Sequence, residues 1–159
     1  MAQNKIFKIY KGLRKEYGHP SGQWKLWCKR PKKLKEREEV IIGAILTQRA
    51  NWKNVELAMN NLKERRCDSL KGILKNKNRL VSLIRPSGFY KQKAGYLYGL
   101  AQFIINQYGS VQQLAREPLP RLRQEFLNLK GIGPETADSI LLYALNKPVI
   151  VIDEYTRRL

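Results

Sequence analysis

The sequence holds little with which to build a metal site or a histidine-driven reaction. Its 159 residues include one histidine, His19, and two cysteines, Cys28 and Cys67. The cysteines are far apart and neither belongs to a CxxC pair. A tetrahedral zinc site and a four-cysteine iron–sulfur site are therefore both excluded from this inventory, and no metal ligands are assigned. One histidine also leaves acid–base chemistry to carboxylates, lysines and hydroxyls. Long apolar runs are missing too: none approaches the roughly 20 residues that span a bilayer. The segment Met1–Gly12 is basic and lacks the continuous apolar core of a secretory signal. A cytoplasmic chain with no membrane partner is the expectation.

Acidic residues are scarce: 13 Asp and Glu stand against 31 Lys and Arg, a formal charge of +18. Such a field repels itself in the compact state, so a polyanionic partner is the natural compensation. Nucleic acid fits, because each Lys or Arg set against a phosphate releases condensed counterions. A merely basic, soluble surface is the plainer reading of the same charge. Apolar residues make up 43% of the chain, enough for a packed core and more than disordered chains carry.

Apolar spacing predicts an all-α chain. Residues 5–17 read as a first helix with Ile6, Ile9, Tyr10 and Leu13 on one stripe, ended by Gly18-His19-Pro20-Ser21-Gly22. From Lys25 to Arg37 seven basic residues and one acidic one surround Trp27 and Pro31. That stretch reads as an irregular, solvated connection. Helices are predicted over 38–48, 51–65, 68–75, 78–85, 90–108, 110–116, 120–127 and 134–145. The run Pro148-Val149-Ile150-Val151-Ile152 is too short and isolated to found a sheet. Two parts are expected: residues 1–37, a first helix and basic connection belonging to a terminal lobe, and a helical domain over 38–159.

The informative stretch is Leu127 to Ala137. Gly131 and Gly133 flank Ile132 and permit a sharp turn that other residues resist. Pro134 suits the first position of the helix that follows. The glycine amides and that helix start present donors outward, where a backbone phosphate could sit, while Ile132 anchors the turn. A plain connection between helices, closed by a glycine cap, has the same pattern. Asp153, before Glu154-Tyr155-Thr156, reads on its own as an N-cap.

Residues 129–144, Leu-Lys-Gly-Ile-Gly-Pro-Glu-Thr-Ala-Asp-Ser-Ile-Leu-Leu-Tyr-Ala, resemble the helix-hairpin-helix of the endonuclease III (HhH-GPD) superfamily of DNA glycosylases. Val149 to Arg158 resembles that superfamily's apolar lead into its catalytic aspartate. Two earlier stretches agree in order and spacing: Ile42 to Gln48 with Asn51 to Val55 after it, and Ile84 to Tyr90 followed by Lys93-Ala94. The likeness covers most of residues 38–159 and is similar above all to the branch that includes bacterial 3-methyladenine glycosylases.

The resemblance implies a helical DNA glycosylase fold, base-excision repair, and double-stranded DNA with damaged bases as the partner in the nucleoid. It makes Asp153 the catalytic carboxylate, stabilising oxocarbenium-like charge or orienting water. Position 135 carries a lysine in members that cut the strand through a Schiff base. Here it is Glu135, which cannot form an imine, so a monofunctional enzyme without lyase activity is expected. DNA contacts are implied for Gln48, Arg49, Lys130, Gly131, Ile132, Gly133 and Thr136. Gln48 matches the residue that fills the stack vacated by the extruded nucleotide, although Arg49-Ala50 replaces the branch's usual Asn-Thr. Trp52 matches a base-pocket aromatic, suited to an electron-poor methylated base, and reads equally as a core residue. Trp24 is the second pocket candidate.

Relatives continue beyond the aspartate with further helices and, in many, a four-cysteine iron–sulfur loop. The chain ends at Leu159, so a version cut short at the C-terminus is expected. It would hold no cofactor itself, where a longer parent could carry a 4Fe–4S cluster. The apolar faces of helices 5–17 and 38–48 would then be uncovered, which favours self-association. The second functional reading is a non-catalytic DNA-binding module that keeps the hairpin.

Overall fold

The computed structural model describes residues 2–158; Met1 and Leu159 lie outside the described residues. Among the described residues ten α-helices follow in order: α1 (Ala2–Tyr17), α2 (Trp24–Trp27), α3 (Leu34–Leu46), α4 (Trp52–Glu64), α5 (Leu70–Lys75), α6 (Lys77–Leu83), α7 (Tyr90–Tyr108), α8 (Val111–Leu114), α9 (Leu119–Leu127) and α10 (Pro134–Ser139). A 3₁₀ turn, Arg85–Ser87, precedes α7, and α10 runs directly into a π-helical turn, Ile140–Ala144. Among the described residues there is no strand, and no helix is long and apolar enough to cross a membrane. The class is all-α.

Side-chain caps start several helices. The carboxamide of Asn51 accepts the Asn54 N–H at 2.9 Å, and the hydroxyls of Ser69 and Ser110 accept from Gly72 and Gln113 at 3.0 and 3.2 Å. Each satisfies an amide that the helix leaves without a partner. Gly109, at φ +72°, closes α7.

The core is organised on α3. Val40 to Leu46 are all buried, so this half of the helix is apolar on every side. Around it pack α4, α7, α8, α10 and the π-helical turn. α3 begins at Leu34, not at residue 38, and passes through residue 37 without a break. Glu36 sets that start: its carboxylate accepts the Lys33 N–H at 2.7 Å, which makes Lys35-Glu36-Arg37 a polar first turn.

The basic stretch before α3 is not simply solvated, as its composition predicts. Trp27 is buried, and the Lys32 ammonium is buried with it, donating to the carbonyls of Trp27 and Lys29 at 2.7 and 2.6 Å. The expected exposure of two apolar faces holds for one of them. On α1, Ile6, Ile9 and Leu13 are 58, 62 and 54% exposed. The apolar face of α3 is covered, because α7 and the π-helical turn enclose it.

Lys93, on α7, is 1% exposed. Its ammonium donates to Leu46 O at 2.7 Å and to Ser87 O at 2.6 Å, tying α7 to the end of α3 and to the 3₁₀ turn. Burial pushes its pKa down from 10.5 to about 8. A second close fit lies at Gly131, whose φ is +82°. A Cβ there would stand 2.2 Å from the Tyr96 ring on α7.

Lys93→Met leaves two buried carbonyls without a donor and should cost about 1–3 kcal/mol, a Tm loss of several degrees by thermal melts. Because the folded-state pKa lies below the unfolded one, the folded chain sheds this proton first. Wild-type stability should therefore rise relative to the variant as pH goes from 8 towards 10.5, a dependence that pH-resolved melts would expose. Gly131→Ala should cost about 1–3 kcal/mol through ring overlap and left-handed strain. Adding Tyr96→Ala should recover part of that loss, and strictly additive melts would contradict the contact.

Candidate active site

The turn between α9 and α10 is fixed from three sides. Ile132 is buried and its N–H donates to Leu129 O at 3.2 Å, closing the turn. The Tyr96 ring lies under Gly131. From the end of α3, the Gln48 carboxamide donates to Gly131 O at 2.9 Å and to Thr136 Oγ1 at 3.1 Å. Below the turn, Arg123 of α9 makes a two-pronged ion pair with the buried Asp138 of α10, at 2.8 and 3.2 Å. Lys130, Gly133 and Glu135 remain exposed. Among the described residues the N–H groups of Gly131 and Gly133 find no acceptor.

The residues expected at the DNA face therefore divide. Lys130 and Gly133 face solvent, Ile132 anchors the turn, and Gln48 and Thr136 are bonded to each other. Arg49 is exposed at φ +48°, in the left-handed region that branched and bulky residues avoid.

Asp153 follows the run Pro148–Ile152, which has no regular secondary structure, and caps the 3₁₀ turn Thr156–Arg158. Its Oδ1 accepts the Thr156 N–H at 2.7 Å and the Thr156 hydroxyl at 2.6 Å. The hydroxyl bond first, then the backbone bond, holds this carboxyl below the usual carboxylate range, so it is ionised at neutral pH. Among the described residues Oδ2 has no partner. Capping and an available negative charge are thus combined in one side chain.

Four aromatic rings cluster nearby. Trp27 lies 5.9 Å from Trp24, 6.3 Å from Trp52 and 5.4 Å from Tyr143, and Tyr143 is also 5.9 Å from Trp24. Gly43 makes room for this: a Cβ there would come within 3.2 Å of the Trp27 ring. Arg30 fastens the strand of chain after Trp27, donating to Leu142 O at 2.7 Å. Burial pushes the Tyr143 phenol up, and the charges of Cys28 and Asp153 add to the effect. The two tryptophans proposed for a pocket thus meet through Trp27, which sequence reading placed in a solvated connection.

Trp52 itself lines a cavity of about 240 Å³ with Trp27, Gly43, Glu56, Met59 and Lys63. Neither Asp153 nor the hairpin borders it. Among the described residues the buried Trp52 indole N–H finds no acceptor. Among the described residues no group of three or more His, Cys, Asp or Glu comes together in a way that could hold a metal ion. Neither Tyr143 nor the structural role of Lys93 is signalled in the sequence. No periodicity marks either, since one depends on a π-helical turn and the other on a carbonyl 47 positions away.

Residues 42–159 match the HhH-GPD superfamily of base excision DNA repair proteins. A Methanocaldococcus jannaschii protein that bears the provisional name of DNA repair glycosylase is 44% identical, over 100% of this chain and 71% of its own length. Endonuclease III of Thermotoga maritima is 28% identical, over 81% of this chain and 58% of its own. Among solved structures, the H. pylori 3-methyladenine DNA glycosylase bound to 1,N6-ethenoadenine superposes with a TM-score of 0.75 at 34% identity, covering 95% of this chain and 68% of that one. The chain belongs to the HhH-GPD superfamily of base-excision DNA repair proteins, among the endonuclease III-like DNA glycosylases.

Proposed function

We propose that the chain is a monofunctional DNA glycosylase that releases alkylated purines from duplex DNA, with Asp153 as its catalytic carboxylate. The observation that carries this reading is the state of Asp153: ionised through Thr156, with one carboxylate oxygen that has no partner among the described residues. When the C1′–N bond breaks, its electron pair leaves with the base and positive charge develops on the sugar. A fixed carboxylate stabilises that charge, and a water oxygen then bonds to C1′ while its proton is released. A methylated base that already bears positive charge leaves as a neutral molecule, which lowers the demand on the enzyme.

Glu135 supports the absence of a lyase step. It stands in the first turn of α10, where the strand-cutting members of the family have lysine, and a carboxylate cannot attack C1′ to give an imine. The H. pylori relative's named substrate supports an alkylated purine. The exposed hairpin, with Lys130 and the open amides of Gly131 and Gly133, supports a phosphate contact on the duplex.

The experiment measures base release from duplexes with single methylated purines. Asp153→Asn can still cap the turn, so its fold should hold while release falls by about 10²–10³-fold. Strand breaks should appear only after alkali. Borohydride should trap no wild-type complex, whereas Glu135→Lys should give a trappable one. Binding of the duplex without release of any base would overturn the enzymatic reading and leave a DNA-binding module; trapping of wild type would overturn its monofunctional part.

A further inference from the structure

The corner where α4 gives way to α5 and α6 carries charge that the fold does not explain. From Arg65 to Arg79 six basic residues, Arg65, Arg66, Lys71, Lys75, Lys77 and Arg79, stand against one acid, Asp68. All six are exposed, whereas Asp68 is buried and already pairs with Lys35 at 3.0 Å. Among the described residues no ion pair or hydrogen bond engages any of the six side chains; Lys77 lies over the Tyr98 ring at 4.6 Å. Arg65 and Lys75 stand at the ends of α4 and α5, where cations suit the helix dipole. Lys71 is in the first turn of α5, and Lys77 and Arg79 are in the first turn of α6, where positive charge is unfavourable. Arg66 occupies the left-handed position that ends α4, at φ +55°. Its N–H donates to Lys63 O at 3.0 Å and that of Cys67 to Leu62 O at 2.8 Å, a closure that favours glycine. Four cations thus sit where the helices would be steadier without them.

Packing gathers them. A Cβ on Gly72 would stand 3.1 Å from Arg66 O, so the Arg65–Arg66 turn lies against α5. Asn76 alone separates α5 from α6, and its carboxamide donates to Gly72 O at 2.8 Å. Tyr98, under Lys77, is two residues beyond Tyr96, the ring under Gly131. Two residues turn an α-helix by about 200°, so the basic corner and the hairpin lie on opposite flanks of α7. We propose that Arg66, Lys71, Lys75, Lys77 and Arg79 form a second surface for the phosphates of duplex DNA, separate from the hairpin. Cations without acidic partners release counterions when they meet a phosphate backbone, which offsets what these positions cost the helices. The corner engages DNA outside the segment held at Asp153, whether the flank of the same duplex or a second duplex. The inference rests on the proposed function only for its partner, DNA, and not on base release.

Fluorescence anisotropy on a long undamaged duplex, across a salt series, tests it on the whole chain with two charge-matched variants. Lys71→Gln, Lys75→Gln and Arg79→Gln together remove three charges from the corner; Lys5→Gln, Lys8→Gln and Lys15→Gln remove three from α1. Each lost phosphate contact flattens the slope of log affinity on log salt by about 0.9, so the corner variant should lose about 2–3 of its slope. Between about 50 and 200 mM salt its deficit relative to wild type should then shrink by about fortyfold, while the α1 variant follows wild type. Arg66→Gly should raise Tm by relieving the left-handed turn and yet flatten the slope by about 0.9, which a purely structural arginine would not do. Energy transfer between two differently labelled short duplexes, on adding wild type but not the corner variant, assigns the corner to a second duplex. No transfer, with flattening confined to the long duplex, assigns it to the flank of the same one. A slope unchanged in the corner variant or in Arg66→Gly, or flattened equally by the α1 variant, overturns the corner alone. Wild type that binds no duplex overturns the corner and the DNA reading together.

Discussion

The ammonium of Lys93 is the point on which the candidate site hangs. It bridges Leu46 O, in the last turn of α3, and Ser87 O, in the 3₁₀ turn before α7. Carbonyls at a helix end have no partner within the helix and carry partial negative charge, so a cation is the side chain that satisfies them best. Burying it is costly, as the depressed pKa of about 8 records, and the two short bonds offset that cost only while both carbonyls stay in place. The chain therefore leaves α3 from a fixed position. Two residues on is Gln48, whose carboxamide must reach Gly131 O and Thr136 Oγ1, and four beyond it is Trp52. An error at Leu46 would be passed to both.

The same logic accounts for the hairpin. A glycine turn is permissive, and left to itself it would sample several geometries. Here the ring of Tyr96 occupies the space a Cβ would need, Gln48 holds the Gly131 carbonyl, and the Arg123–Asp138 pair locks α9 to α10. With the carbonyl turned inward, the open amides of Gly131 and Gly133 share the surface with Lys130. In a chain of formal charge +18, an anion is what that surface lacks.

Most of the helices could be read from the sequence because their signals are local. Apolar spacing, the caps at Asn51, Ser69 and Ser110, and Gly109 at the end of α7 all act within one or two turns. The start of α3 is hidden for an equally local reason: Lys35-Glu36-Arg37 has the composition of a linker, and it is the Glu36 bond to the Lys33 amide that makes it a helical turn. The site was legible only where a motif carried it, as at the hairpin and Asp153. Trp27, in a run of lysines, gives no sign that it will back three other rings. Gln48 gives none that its partners lie 83 and 88 positions away. Tyr143 depends on a π-helical turn, which no regular spacing encodes.

Under the proposed function Asp153 is both cap and catalytic group, and the two descriptions need not compete. A cap needs a carboxylate oxygen pointed at the first amides of a turn. Catalysis on a developing cation needs a carboxylate that is ionised and does not move as charge appears. The Thr156 amide and hydroxyl supply both conditions by engaging Oδ1, which fixes the group and lowers its pKa, while among the described residues Oδ2 makes no hydrogen bond. A carboxylate that an arginine engages on both oxygens has its charge already matched, as at Asp138. The two aspartates on either side of the π-helical turn thus divide the work by their partners: one joins helices, and the other keeps its charge available.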